Sequence, residues 1–160
     1  MTMCTNEFAG RPEAAREARA WAARWLTGCP AADDVVLLLS ELVTNSALHS
    51  RSAGGTLRVG LFIVAGAWVR CEVRDGGPPF RDGNGPAAGQ ASPVTKPDPM
   101  AEAGRGLWLV RELAAESGAD GKGLHWFVLP WQPGAPVRVP GPRPEPAATD
   151  TASEGMYERT

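Results

Sequence analysis

Several things are scarce in this 160-residue chain, and each scarcity closes a class of function. There is no basic excess: the formal net charge is -2, whereas general nucleic-acid or membrane-surface binders carry clustered positive charge. There is no run of about 18 apolar residues, so a membrane-spanning helix is not expected. The longest candidate, Val59 to Val69, is short and broken by Gly60, Ala65 and Gly66. "MTMCTNEFAG" lacks the basic start and apolar centre of a signal peptide. The three cysteines, Cys4, Cys29 and Cys71, form no CxxC pair and no metal spacing. They fit a reducing cytoplasm, with Cys71 a small core residue between Val69 and Val73. No internal repeat is visible.

What is present is ordinary soluble composition, 43% hydrophobic and 21% charged, with length enough for one domain and a core. Ala14, Ala18, Trp21, Ala22 and Trp25 recur at helical spacing, and Gly28 with Pro30 ends that helix. A second helix runs to about His49, with Asp33 or Asp34 as its cap and Val35, Leu38, Leu39, Leu42 and Val43 on its core face. "TLRVGLFIV" and "AWVRCEVRD" alternate and are joined through Ala65-Gly66, which predicts a hairpin. Residues 76–103 are rich in Gly, Pro and Ala and read as a long mobile loop, a feature that is usually functional inside a compact domain. "GRGLWLVRELAAESGA" gives a third helix with Leu107, Val110, Leu113 and Ala114 at core spacing, and "LHWFVLP" a last strand. The expected domain spans residues 8–130. The Pro- and Gly-rich stretch 131–160 reads as a disordered tail.

Three pieces carry chemistry. On the second strand Val69, Cys71 and Val73 share one face, and by the same parity Asp75 falls on that face where the strand stops. A carboxylate there can receive a ligand's hydrogen-bond donor, and Gly76 and Gly77 let a flat ring approach the backbone. "DGG" followed by prolines is also ordinary turn chemistry. "GRGLWLV" sets two glycines at a helix start, where free N–H groups suit phosphate. A loop connection alone would explain it equally, and it is not a dinucleotide fingerprint. In "LLSELVTNSALHS", Glu41 and Asn45 stand at i and i+4 and project side by side. An amide oxygen suits Mg²⁺, and a carboxylate beside it can accept a proton from an attacking hydroxyl. The alternative is a solvated stripe, against which stand Leu37, Thr44 and Leu48 on the same side.

The order of these pieces resembles the GHKL ATPase superfamily, from about Ala14 to Leu129: an ExxxN helix, a hairpin ending in D-x-G, a loop in the place of a lid, and GxG opening a helix. "SELVTNSALHS" and "GRGLWLVRELA" resemble more narrowly the small bacterial anti-sigma factor serine/threonine kinases and their single-domain relatives. The resemblance implies an α/β sandwich of Bergerat type, with a mixed or antiparallel sheet and three helices on one face. It implies ATP and Mg²⁺ as cofactors. Asn45 would hold the Mg²⁺, Glu41 would be the general base, and Asp75 would accept the adenine amino group. Guanine would present an oxygen there, and two acceptors repel. Gly77 would pass the ring. Gly104 and Gly106 would cradle phosphates with Arg105 nearby, and Leu107 completes that cofactor-binding turn.

The sequence departs from the family pattern where Pro79 replaces the second glycine of D-x-G-x-G and Ala103 a glycine of the second box. Pro79 stiffens the loop after Asp75. His49 and His125 are the only histidines, and neither is placed as the phospho-acceptor of a sensor kinase. Downstream modules of the larger relatives find no room in 160 residues. The resemblance therefore implies a free-standing regulator. It would phosphorylate a small anti-sigma antagonist and otherwise hold a sigma factor, with no direct nucleic-acid or membrane partner and a homodimer left open. A non-catalytic, ATP-dependent protein-binding module is the competing expectation.

Overall fold

The computed structural model describes residues 1–50, 52, 54–77 and 105–137, without the side chain of Arg105. Five strands and three helices follow in the order β1 (Thr2–Ala9), α1 (Ala14–Trp25), α2 (Ala32–His49), β2 (Thr56–Val64), β3 (Trp68–Arg74), α3 (Arg105–Leu113), β4 (Glu116–Ala119) and β5 (Leu124–Pro130). The strands form one antiparallel sheet ordered β1-β2-β3-β5-β4. Among the described residues, no helix is long and apolar enough to cross a membrane.

Strand alternation decides which sheet face is covered. Leu57, Val59, Leu61 and Ile63 of β2 and Val69, Cys71 and Val73 of β3 are buried in one core with Val35, Leu38, Leu39, Leu42 and Val43 of α2. Each such aliphatic side chain contributes about 1.5–3 kcal/mol when fully buried. Phe8 of β1 meets Trp21 of α1 edge to face, with ring centroids 6.0 Å apart, an arrangement the ring quadrupoles favour. Cys71 belongs to this core, and burial pushes its thiol well above the usual range.

The other sheet face carries a layer of its own. The Arg70 guanidinium stacks 4.2 Å from the Trp126 ring centre and binds Glu72 at 2.7 Å. The indole in turn lies flat on Gly118, where a Cβ would come within 2.8 Å of it.

The fold differs from the sequence expectations in several places. β1 opens the sheet at Thr2, ahead of residue 8. α2 begins at Ala32, so Asp33 and Asp34 lie in its first turn instead of capping it, where their charge still favours the helix dipole. The third helix stops at Leu113, and Glu116–Ala119 pairs with β5. Ala114 N–H still reaches Val110 O, but Ala115 N–H turns to Val128 O, so sheet pairing replaces helical bonding there. Trp25 and Leu113, expected in the core, are 48% and 45% exposed. Leu26 and Leu109 pack on the core instead. Trp131 also packs against the core, and its N–H donates to Ala67 O. The loop expected over 76–103 and the tail beyond residue 137 fall almost wholly outside the described residues, as do Pro79, Ala103 and Gly104.

Candidate functional site

α2 presents Glu41 and Asn45, both half-buried, from one side of a helix whose other side is core. Among the described residues neither side chain makes a hydrogen bond or an ion pair. Their surroundings differ from the expectation in one respect: Leu37 and Leu48 are 42% and 52% exposed, and Thr44 is exposed too. The stripe itself is therefore open to water. What shelters Glu41 is α3. At Gly106 an added Cβ would stand 3.1 Å from Glu41 Cβ and 3.2 Å from its Cδ, closer than side-chain carbons pack. The glycine lets the start of α3 rest on the Glu41 carboxylate, which also favours a helix N-terminus electrostatically. Two of the three motifs thus meet in space. Leu107, next along α3, packs partly on the core.

The third motif is held by three successive N–H groups at the end of β3. Asp75 N–H donates to Gly123 O at 2.8 Å. Gly76 N–H donates to Ser52 Oγ at 2.7 Å, and Gly77 N–H to Asp75 Oδ1 at 2.7 Å. Gly77 is buried with φ 76°, a left-handed value that favours glycine. Gly123, at φ 113°, lies against this turn, and a Cβ there would collide with Asp75 O and Gly77 N. Asp75 is half-buried. A depression of about 400 Å³ beside it is walled by Glu7, Thr56, Arg58, Arg74 and Gly76. Asp75 lines it as well, but Glu41, Asn45 and Gly106 do not, so it does not join Asp75 to the pair on α2 and α3.

Three residues of this region carried no signal that singled them out. Ser46, directly after Asn45, is fully buried, and among the described residues its Oγ has no hydrogen-bond partner. Buried hydroxyls are nearly always paired, so an orphan calls for a missing partner such as water or ligand. Ser52 and Gly123 act only through contacts with Asp75–Gly77. The glycine could have been noticed in the turn sequence "DGKG", but nothing around Ser52 points to position 76.

Free polar groups on α2, an orphaned buried hydroxyl and two glycine-lined close approaches fit a nucleotide with its phosphates. Among the described residues no three His, Cys, Asp or Glu side chains gather as a metal cluster. Mg²⁺ takes one or two protein oxygens together with phosphates and waters, and Asn45 offers an amide oxygen of that kind, unengaged among the described residues.

The fold is an α/β sandwich of the ATPase type. The chain belongs to the histidine kinase-like ATPase domain family, which it matches over residues 8–125. No curated protein matches it. Among solved structures it is similar to the RsbU and RsbW domains of Rv1364c from Mycobacterium tuberculosis, with a TM-score of 0.57 and 21% identity. That likeness covers 86% of this chain and 34% of the other, so the chain spans about a third of that structure's length. At this identity the likeness speaks for the fold.

Proposed function

We propose that this chain binds Mg-ATP and acts as a regulatory serine/threonine kinase of the anti-sigma type, phosphorylating a small antagonist protein in a partner switch. The observation that carries the reading is the apposition of Glu41 and Gly106, which joins the ExxxN helix to the glycine-opened helix. Family membership supports ATP as the ligand.

Bound Mg-ATP would supply the transferable γ-phosphoryl group and most of the charge neutralisation its transfer needs. The chain's own residues do the rest. Asn45 offers an amide oxygen to Mg²⁺, and Glu41 accepts the proton of an attacking serine hydroxyl. Asp75 receives the adenine amine, its Oδ1 fixed by Gly77 N–H. Gly104, Arg105, Gly106 and Leu107 would be the stretch that meets the phosphates. The ATP-binding domain would run to about residue 130, with β1, which starts ahead of residue 8, as part of its sheet, in the cytoplasm, and residues 131–160 would be a tail. Its partners would be a sigma factor and its antagonist, and a second copy of the chain.

A second reading is favoured by Pro79, which stands where the family pattern has a glycine. A stiffened loop after Asp75 suits a module in which ATP only gates protein binding.

The first experiment is calorimetry of Mg-ATP with wild type and Asp75→Asn. The amide oxygen that the substitution introduces keeps the bond to Gly77 N–H, so the turn survives, but a donor can now face the adenine amine. Affinity should fall by about 1.5–3 kcal/mol, the range for a hydrogen bond to a charged group. Equal affinity removes Asp75 from the site.

A further inference from the structure

Of the three N–H groups that fix the Asp75 turn, two are held without any side chain from outside it: one by the Gly123 backbone carbonyl of the β4–β5 turn and one by Asp75's own carboxylate. The middle one, Gly76 N–H, depends on a side chain from elsewhere, Ser52 Oγ. Ser52 is 3% exposed, and its hydroxyl is engaged as donor and as acceptor. It donates to Thr56 O at 2.9 Å while accepting from Gly76. The Ser52 backbone N–H donates to Ser50 Oγ at 2.9 Å, and Ser50 Oγ donates to Ser46 O at 2.6 Å, in the last turn of α2. A continuous path of hydrogen bonds thus runs from the helix of Glu41 and Asn45 to the peptide that follows Asp75.

We propose that Ser52 is a positioning residue that sets Asp75 relative to α2, and so sets the adenine preference of the site. This rests on the reading of Asp75 as the adenine acceptor. The physical reason is geometric. The Asp75–Gly76 peptide has no side chain beyond Asp75 to anchor it, and glycine on both following positions leaves the chain many alternatives. Without Ser52 Oγ a part-buried N–H loses its partner, and the turn relaxes toward whatever acceptor it can find. Asp75 then moves relative to a base whose opposite end is held by Asn45 through the phosphates. A misplacement of about 1 Å is enough to weaken a directional hydrogen bond.

The test is calorimetry of the full chain with Mg-ATP, Mg-ADP and Mg-GTP, for wild type, Ser52→Ala, Ser52→Thr and Ser50→Ala. In Ser52→Ala the dissociation constants for ATP and ADP should rise on the order of tenfold, the worth of one hydrogen bond, while that for GTP stays the same. The ATP-over-GTP preference therefore shrinks by the same factor. Ser52→Thr, which keeps the hydroxyl, should restore most of the preference. Ser50→Ala, which leaves the Gly76 bond but cuts the path to α2, should move it in the same direction by less. A merely structural serine would lower the melting temperature and leave the preference of the folded protein unchanged. An unaltered ATP-over-GTP ratio in Ser52→Ala overturns the proposal. Should that variant not fold, an unaltered ratio in Ser50→Ala does so. Wild type that binds no adenine nucleotide overturns the functional reading itself, and this inference with it.

Discussion

Gly106 and Glu41 touch across the junction of α3 and α2, with no room between them for a methyl group: a Cβ on residue 106 would stand 3.1 Å from Glu41 Cβ. Replacing an exposed mid-helix glycine by alanine normally stabilises a helix, by up to about 1 kcal/mol. Here the added carbon meets a carboxylate and the stem of another helix. Gly106→Ala should instead destabilise, by about 1–3 kcal/mol as overpacking does. Urea unfolding of the single variants and of Gly106→Ala/Glu41→Ala measures this. Most of the loss should disappear in the double variant, because the tightest contact, with the Glu41 carboxylate, goes and only the 3.1 Å approach of the two Cβ atoms remains. Additive losses would mean that Glu41 is not what Gly106 avoids.

Ser46 offers a prediction of opposite sign for the free protein and for the complex. Its Oγ is buried with no partner among the described residues, and an unsatisfied buried hydroxyl costs about 1–3 kcal/mol. Ser46→Ala should therefore raise the melting temperature of the nucleotide-free protein. If the hydroxyl serves a bound nucleotide, directly or through a water, the same variant should gain less stability from saturating Mg-ATP than wild type does. Thermal melts with and without Mg-ATP give both numbers. An equal ATP-induced shift in the two proteins would assign Ser46 no part in binding.

Much of the fold is legible in the sequence, and what is not has physical causes. The core face of α2 from Val35 to Val43 and the β2–β3 hairpin follow from periodicity, because burial on one face leaves a regular imprint. β1 leaves a weaker one: in "TMCTNEFA" only Cys4 and Phe8 are buried, since an edge strand needs little apolar surface. β4 leaves none. "ESGA" follows a helix of good formers, and only its pairing with β5 and the Trp126 ring on Gly118 make it a strand. The motif residues stand out by type and spacing. Ser52 and Gly123 serve Asp75 from distant parts of the chain, and such contacts write no local pattern.

Asp120 ties the β4–β5 turn together, and that turn supplies the carbonyl that holds Asp75 N–H. Partial burial is the largest influence on its carboxyl and alone would push the pKa up. N–H donors from Leu124 and Lys122, with Arg74 nearby, together outweigh this and hold the carboxyl below its usual range. A depressed folded-state value means that the ionised group stabilises the fold above the unfolded value. That contribution is lost as pH falls through the folded value. The turn should therefore loosen below about pH 4, where ordinary aspartates protonate. NMR titration should find Asp120 among the more acidic carboxyls. Denaturation of Asp120→Asn should show a shallower loss of stability with acid than wild type. Identical acid profiles would show that the carboxylate does not support the turn.

The last prediction separates a kinase from an ATP-gated binding module. Glu41→Gln keeps the shape of the side chain, and Asn45 still offers its amide oxygen to Mg²⁺. Mg-ATP affinity should then stay close to that of wild type. Transfer of phosphate to a partner serine should nevertheless fall on the order of 10²–10⁴-fold, the usual worth of a general base. Asn45→Ala should do the reverse at the first step, weakening Mg-ATP binding itself, because the metal loses its protein ligand. Radiolabelled phosphate transfer to the antagonist protein, alongside calorimetry of both variants, makes the comparison. If wild type and Glu41→Gln transfer equally slowly to the true partner while both bind Mg-ATP, Glu41 is not a base. Its place against Gly106 would then be that of a latch between α2 and α3, set by nucleotide and read by a binding partner.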